Sequence, residues 1–373
     1  MSKVPQIAIL GAGIFVRTEY IPRLAEISDR FILKFIWSRS EESARGAVEI
    51  ARKFFPEVEC KWGDAGLEEI IQDASIIAVL VVLAAQFQMD LSLKLLKGGK
   101  HFWHLCMCMH CLENYGHEEK PAASSSTEME NALSCYNSLS TTLPSRPIWA
   151  VAENYRFEAG LLEGTKLMAD IGDMINFQII VEVPMNNSNP FFSSSWRHDF
   201  TGGYILDTGV HFIASLRMLA KCEVTSVSAM TSHVDTTLPP PDTMSSVIKL
   251  ENGCSGVLVT VVSAKTFKNF WRVLGLKGTL QIELEDREGQ FGYSVTLFKA
   301  DGQTKNDFFP LSGVTEELKA FFSDVSKASI EKDSNFEVEP RLSIVEGARD
   351  VAVLDAILKS GKSEGALLQV KKF

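Results

Sequence analysis

Three sets of residues have types and spacings that can do chemistry. The densest is HFWHLCMCMHCLENYGHEEKPAA, residues 101–123, with four of the seven histidines and three of the seven cysteines. His104, Cys106, Cys108 and His110 alternate, so a strand would set them on one face. A strand advances about 3.3 Å per residue, which leaves the first and last roughly 20 Å apart. One ion held by bonds of roughly 2.0–2.3 Å cannot span that. Chelation needs a turn, and no Gly or Pro lies between His101 and Cys111. The CxCxxC spacing also matches neither common paired-CxxC zinc pattern. No metal site is expected here. Only histidines flank the thiols as cations, so redox chemistry is not expected either.

The second set is Gly11-Ala12-Gly13-Ile14-Phe15-Val16, which follows an apolar run and opens a helical pattern. That is the context a dinucleotide fingerprint requires. Gly11 permits the tight turn and Gly13 lets the backbone approach a pyrophosphate. The helix start at Ile14 and Phe15 supplies N–H groups and a positive dipole end. Val16 replaces the third glycine, so the helix must pack less closely on the strand. The next strand ends in Trp37-Ser38-Arg39-Ser40. A carboxylate there would bind a ribose hydroxyl and repel a 2′-phosphate, whereas Arg39 with Ser38 and Ser40 can bind the phosphate. The expected cofactor is NADP rather than NAD. The alternative reading of Arg39 is a solvated loop cation.

The third set is Lys120, Asp207 and His211. Asp207 and His211 are four apart and share one face of a helix. Oxidising an alcohol by hydride loss needs a base for its proton, and the reverse reaction needs an acid. Histidine titrates near neutral pH, and burial near another cation tunes a lysine down. Taken singly, Asp207 is as well a helix cap and His211 a satisfied core histidine.

The elements around these residues fall into two kinds. QIAIL (6–10), FILKFIW (31–37), VECKW (58–62) and ASIIAVLVVL (74–83) read as strands. Helical patterns separate them, among them 40–54 with Ser40 as N-cap, 67–72 and 89–99. This β-α alternation predicts a doubly wound parallel sheet over residues 1–150. From about Ile175 the strands lengthen and alternate. Asn252-Gly253 and Asp301-Gly302 mark hairpins. Residues 151–373 are therefore expected to form an α+β domain on a large, mainly antiparallel open sheet, with helices near 314–328 and 340–360. One open face of that sheet is a candidate surface for a homo-oligomer.

The chain has 373 residues, 46% hydrophobic and 23% charged, with a formal charge of −10. That profile fits a two-domain globular protein. No basic patch suggests nucleic acid. No apolar run reaches the roughly 18–20 residues of a membrane helix, and the N-terminus lacks the pattern of a signal peptide. An odd number of cysteines without scaffold density points to a reduced, cytosolic setting.

Four features together resemble the glucose–fructose oxidoreductase / inositol dehydrogenase (Gfo/Idh/MocA) family over nearly the whole chain. They are the N-terminal GxG, Glu119-Lys120-Pro121, Glu153-Asn154-Tyr155-Arg156 after the strand IWAVA, and the run from Gly202-Gly203 through Asp207 and Gly209 to His211. The resemblance implies a Rossmann domain and an NAD(P)-dependent oxidoreductase acting on a sugar-, polyol- or diol-like alcohol or carbonyl. It implies that Lys120 sits beside the nicotinamide and binds the substrate oxygen, with Glu119 also at the cofactor, and that Asp207 and His211 face it. Asn154, Tyr155, Arg156, Trp196 and Arg197 are further pocket candidates. The segment 186–200 that carries the last two reads equally as a substrate lid or a surface connection. An acid often found three residues after the histidine is Ala214 here, which loosens the substrate assignment.

In the family, Gly-Lys-His-apolar runs almost directly into Glu-Lys-Pro. Here the sixteen residues Trp103–Glu118 intervene between Phe102 and Glu119. They are either an inserted loop or a stretch translated from a misplaced exon boundary. The strand is expected to continue through LCMC, with the insertion looping out so that Lys120 returns to its place. The alternatives are a nucleotide-binding protein whose catalysis the insertion impairs, and metal or thiol binding by 104–117.

Overall fold

A computed structural model describes residues 4–83, 85–105, 125–139, 147–185, 202–331 and 337–373. The first sheet has six strands: β1 (Gln6–Leu10), β2 (Ile32–Ser38), β3 (Glu59–Trp62), β4 (Ile76–Val81), β5 (His101–Leu105) and β6 (Trp149–Ala152). Their order is β3-β2-β1-β4-β5-β6, all parallel. The helices between them are α1 (Ile21–Glu26), α2 (Glu41–Ala51), α3 (Gly63–Gln72), α4 (Ala85–Lys97) and α5 (Ser126–Leu139). The strand order reverses between β1 and β4, and in such sheets ligands bind at the carboxyl ends beside the reversal.

Alternate residues of β1 serve opposite faces, which explains its unbroken apolar run. Ala8 and Leu10 join one core with Val79, Leu95 and Leu96. Ile7 and Ile9 join another with Ala78 and Leu80, and a late helix completes it: α8 (Gly313–Ser326) inserts Leu318, Phe321, Phe322 and Val325 there. Phe322 stacks on Phe31 at 4.7 Å between ring centroids. This return of the chain brings the face of α8 that bears Glu317 towards the segment after β6.

Between the sheets run a 3₁₀ turn at Asn154–Arg156, α6 (Ala159–Ile171), β7 (Met174–Pro184) and α7 (Gly203–Ala220). The second sheet continues with β8 (Val224–Ser232), β9 (Thr243–Leu250), β10 (Ser255–Val261), β11 (Ser263–Gly275), β12 (Gly278–Arg287), β13 (Gln290–Lys299) and β14 (Thr304–Pro310). After α8 come α9 (Ile344–Lys362) and the short β15 (Leu368–Gln369). The nine strands lie in the order β14-β13-β12-β11-β7-β10-β9-β8-β15. Every pairing is antiparallel except β7 with β10. Asn252-Gly253 and Asp301-Gly302 lie in the β9–β10 and β13–β14 turns, where both glycines have positive φ. One face of this sheet supplies Phe177, Ile179, Trp271 and Ile282 to the core, packed under α6, α7 and α9.

Almost every residue of α7 is buried, because the helix lies between the sheet and α9. Its amphipathic contrast is correspondingly weak. Gly202 and Gly203 open it in the left-handed region, at φ 93° and 53°. A Cβ on Gly209 would stand 2.7 Å from Leu354 Cδ2, so that glycine lets α7 and α9 approach. No described helix is long and apolar enough to cross a membrane.

Candidate active site

The cofactor loop follows β1 at the reversal point. Gly11 N donates to Trp37 O at 2.8 Å, and Val82 N donates to Leu10 O at 2.8 Å. Gly11 has φ 131°, and a Cβ there would meet Val82 O at 2.0 Å. The protein itself therefore demands this glycine. Gly13 differs: it is exposed, and a Cβ would meet nothing within 4 Å. Among the described residues no atom requires a glycine there, so the space beside it fits the close approach of a pyrophosphate. Ile14 and Phe15 begin the helical run as expected. Its next turn, Val16–Tyr20, is π-helical, with Ile21 N–H reaching Val16 O. The wider turn accommodates the fully buried Val16 where a third glycine would otherwise let the helix pack more closely.

At the tip of β2, Ser38 is half-buried while Arg39 and Ser40 are exposed. Ser40 caps α2: its Oγ accepts from Ser43 N at 3.3 Å, which leaves its hydroxyl proton to donate. Glu41, the nearest carboxylate, is bridged to Arg45 at 2.5 Å. Residues 38–40 themselves carry no carboxylate, and the exposed Glu42 follows in the first turn of α2.

Asp207 and His211 lie one turn apart on α7, both buried. His211 Nδ1 lies 2.5 Å from Glu153 Oε1, and each side chain is 1% exposed. Glu153 stands directly after β6, at the carboxyl end of a parallel strand, and Tyr155 N also donates to it at 3.3 Å. With Nδ1–H donated to a carboxylate, the imidazole presents Nε2 as its acceptor. Tyr155 fixes the ring plane by stacking on His211, with centroids 4.6 Å apart and 18° between planes. Trp271, whose Nε1 donates to Ser215 Oγ at 2.9 Å, and Tyr293 pack around Tyr155. Sequence reasoning placed Glu153 in a motif and gave it no role. An acid immediately after an apolar strand was the available signal.

The remaining candidates divide. Tyr155 joins His211, and Asn154 turns away, its Nδ2 donating to Glu158 Oε1 at 3.2 Å. Arg156 is drawn into a buried ion-pair network. Its Nη2 contacts Asp350, whose other oxygen takes Arg217 Nη1 at 2.7 Å. Arg156, Ala214 and Arg217 line a cavity of about 300 Å³ together with Met218 and Arg341. The position of the acid often found in the family is thus an apolar wall. Glu119, Lys120, Trp196 and Arg197 lie outside the described residues, as do Cys106, Cys108 and His110. His101, the first histidine of that run, is structural. Its Nδ1 accepts from Ile148 N at 2.9 Å and its Nε2 meets Ser329 Oγ at 2.7 Å. Burial holds its pKa down to about 4, so the ring stays neutral.

Residues 168–281 match the GFO/IDH/MocA C-terminal domain. The chain is similar to the Gfo/Idh/MocA oxidoreductases, whose C-terminal domain this stretch matches. Dehydrogenase FPY6 of Fusarium mangiferae is 29% identical to this chain, over 98% of it and 99% of the relative. The aldose–aldose oxidoreductase of Caulobacter crescentus superposes with a TM-score of 0.78 at 18% identity, over 99% of this chain and 100% of that one. A 3-ketoreductase from Actinomadura kijaniata, solved with NADP, superposes with a TM-score of 0.74 at 16% identity, over 96% of this chain and 98% of that one. At these identities the two solved structures establish the shared fold.

Proposed function

We propose that this chain is a Gfo/Idh/MocA-type, NADP-dependent oxidoreductase acting on a small sugar-, polyol- or diol-like alcohol or carbonyl. The observation that carries this reading is the buried Glu153–His211 pair, with Asp207 one turn away on the same helix. When bound, the nicotinamide supplies the hydride chemistry. Gly11, Gly13, Ile14 and Phe15 would hold the pyrophosphate, and Ser38, Arg39 and Ser40 the 2′-phosphate. Glu119 and Lys120 would complete the cofactor side.

His211 exchanges the proton of the substrate oxygen at Nε2 while Glu153 holds Nδ1–H. Its closed surroundings keep water from competing for that proton. Lys120 and Asp207 bind and polarise the same oxygen. Tyr155 keeps the imidazole in plane. Trp196 and Arg197 remain candidates for substrate contact. Asn154 and Arg156 act by holding the site together, given their bonds to Glu158 and Asp350. Substrates of the sugar class are favoured by the aldose substrate of the Caulobacter relative and the ketone chemistry of the Actinomadura one.

Titration of NADPH fluorescence, followed by NADPH consumption against a panel of aldehydes and ketones, tests the reading. Tight binding with turnover supports it. Binding without turnover would favour the alternative in which the insertion at 103–118 has disabled catalysis. We place the protein in the reducing cytosol, where the described cysteines Cys60, Cys135, Cys222 and Cys254 remain thiols. A second copy of the chain is the proposed partner for the uncovered sheet face, where Val247 is 55% exposed. A monomeric mass in solution would reject that partner.

A further inference from the structure

Behind the Glu153–His211 pair lies an acidic group the reaction does not itself require. Glu317 sits on α8, one turn after Gly313 and on the same face. A Cβ on Gly313 would stand 2.4 Å from Asn154 O and 2.6 Å from Glu158 Oε1. The first turn of α8 therefore rests on residues 154–158, and Glu317 faces that same segment. Glu317 is 1% exposed, and its Oε2 has no hydrogen-bond partner.

The charged groups facing Glu317 are Glu153, Glu158, Arg156 and Arg23. Neither arginine pairs with it. Arg156 contacts Asp350, and Arg23 contacts Glu19 on its own helical run. Glu153 has His211 and the Tyr155 N–H as donors. Glu158 has Asn154 Nδ2 and, at 3.0 Å, Ser312 N. Asp350, which faces Glu153 from α9, has two guanidiniums. Glu317 alone in this set has a buried carboxyl oxygen without a hydrogen-bond partner among the described residues. An ionised carboxylate only accepts hydrogen bonds, and here its neighbours are two more carboxyls. A protonated carboxyl avoids both the repulsion and the cost of burying an unpaired charge.

We infer that Glu153 and Glu317 act as a pair of positioning residues behind His211. Glu153 carries the charge and holds the imidazole in the Nδ1–H form, while Glu317 remains a neutral carboxylic acid that lets Glu153 stay ionised. Burial and the charges of Glu153 and Glu158 both push the Glu317 carboxyl well above the ordinary range. The inference rests on the reading of His211 as the proton-exchanging group, but it makes claims that can be measured without turnover.

Histidine-selective ¹⁵N NMR on the full chain reads the tautomer of His211, with H211N providing the assignment. The wild type should show His211 protonated at Nδ1, and E153Q should show a mixture of tautomers. In E153Q the acid limb of the kcat/KM–pH profile should move by about one unit, and kcat/KM should fall about 10²-fold. Infrared spectroscopy at pH 7 should show the carbonyl band of a buried carboxylic acid that is absent from E317Q. The E317Q variant should leave the His211 ¹⁵N pattern unchanged, because glutamine is a neutral isostere. A wild-type tautomer in E153Q, or no carboxylic-acid band assignable to Glu317, would overturn the inference. So would a His211 pattern altered in E317Q. Full turnover by H211N would instead reject the catalytic reading and leave the spectroscopic result standing. Circular dichroism melts of each variant separate these outcomes from misfolding.

Discussion

His211 Nδ1 and Glu153 Oε1 meet at 2.5 Å across 58 residues of sequence, and neither side chain reaches solvent. The contact ties the carboxyl end of β6 to the centre of α7. It joins the first, parallel sheet to the helix that bears Asp207. Substituting His211 by Asn should keep the buried volume nearly filled and remove the proton acceptor. Turnover is expected to fall by about 10²–10⁴-fold, while NADPH binding, followed by fluorescence, changes little. Lys120→Ala should behave alike; unchanged turnover in K120A would remove Lys120 from its assigned role.

The two glycines of the cofactor loop should respond in opposite ways. Gly11→Ala drives a Cβ to 2.0 Å from Val82 O at φ 131°. It should cost more than about 2 kcal/mol of stability, read by chemical denaturation. Gly13→Ala meets no atom of the described residues within 4 Å. It should leave the free protein within about 0.5 kcal/mol of wild type but weaken NADPH at least about tenfold. Equal NADPH affinity in G13A would mean that the pyrophosphate does not lie beside this residue.

Arg39 carries the proposed choice between cofactors. Its replacement by Ala should weaken NADPH by about 10–100-fold and leave NADH nearly unaffected, since only the former has the 2′-phosphate. The NADPH effect should shrink as salt rises, because Arg39 is exposed. Parallel losses for both nucleotides would assign Arg39 to a general role at the loop.

What was legible in the sequence was what local pattern encodes. Continuous apolar runs gave the parallel strands, and Asn252-Gly253 and Asp301-Gly302 gave the hairpins. Spacing alone put Asp207 and His211 on one helix face. The Glu153–His211 contact has no such signature, because it joins two distant segments. Arg156 illustrates the converse. It sits in a site motif, yet its guanidinium turns to Asp350, 194 residues further on. Glu317 reaches the site only because α8 packs back onto the first sheet. Val16 was legible as a departure from the three-glycine pattern, but the π-turn that absorbs it was not.

Buried acids give the stability a characteristic pH dependence. Desolvation pushes Glu158 up from 4.5 to about 7, despite hydrogen bonds that favour its charge. A raised carboxyl contributes stability that is fully present below 4.5 and lost as pH rises to about 7. Relative to Glu158→Gln, the wild type should lose about 3 kcal/mol across that window. His101 acts in the opposite sense. Its lowered pKa, about 4 against 6.5, adds stability as pH rises between those values. Glu317, whose carboxyl is also raised, acts in the same sense as Glu158, so the Glu158 contribution is read from the difference between wild type and E158Q rather than from either curve alone. Denaturant midpoints at several pH values measure this; parallel curves for both proteins would show that Glu158 is ionised throughout.

The central claim is that a nicotinamide-dependent proton and hydride exchange takes place around His211. NADPH consumption with a panel of small hydroxylated aldehydes and ketones, run side by side on wild type and H211N at matched cofactor occupancy, tests it most directly. Turnover by the wild type and its loss by at least about 10²-fold in H211N is the expected result. NADPH bound by both proteins with no turnover by either, or equal turnover by both, would contradict it.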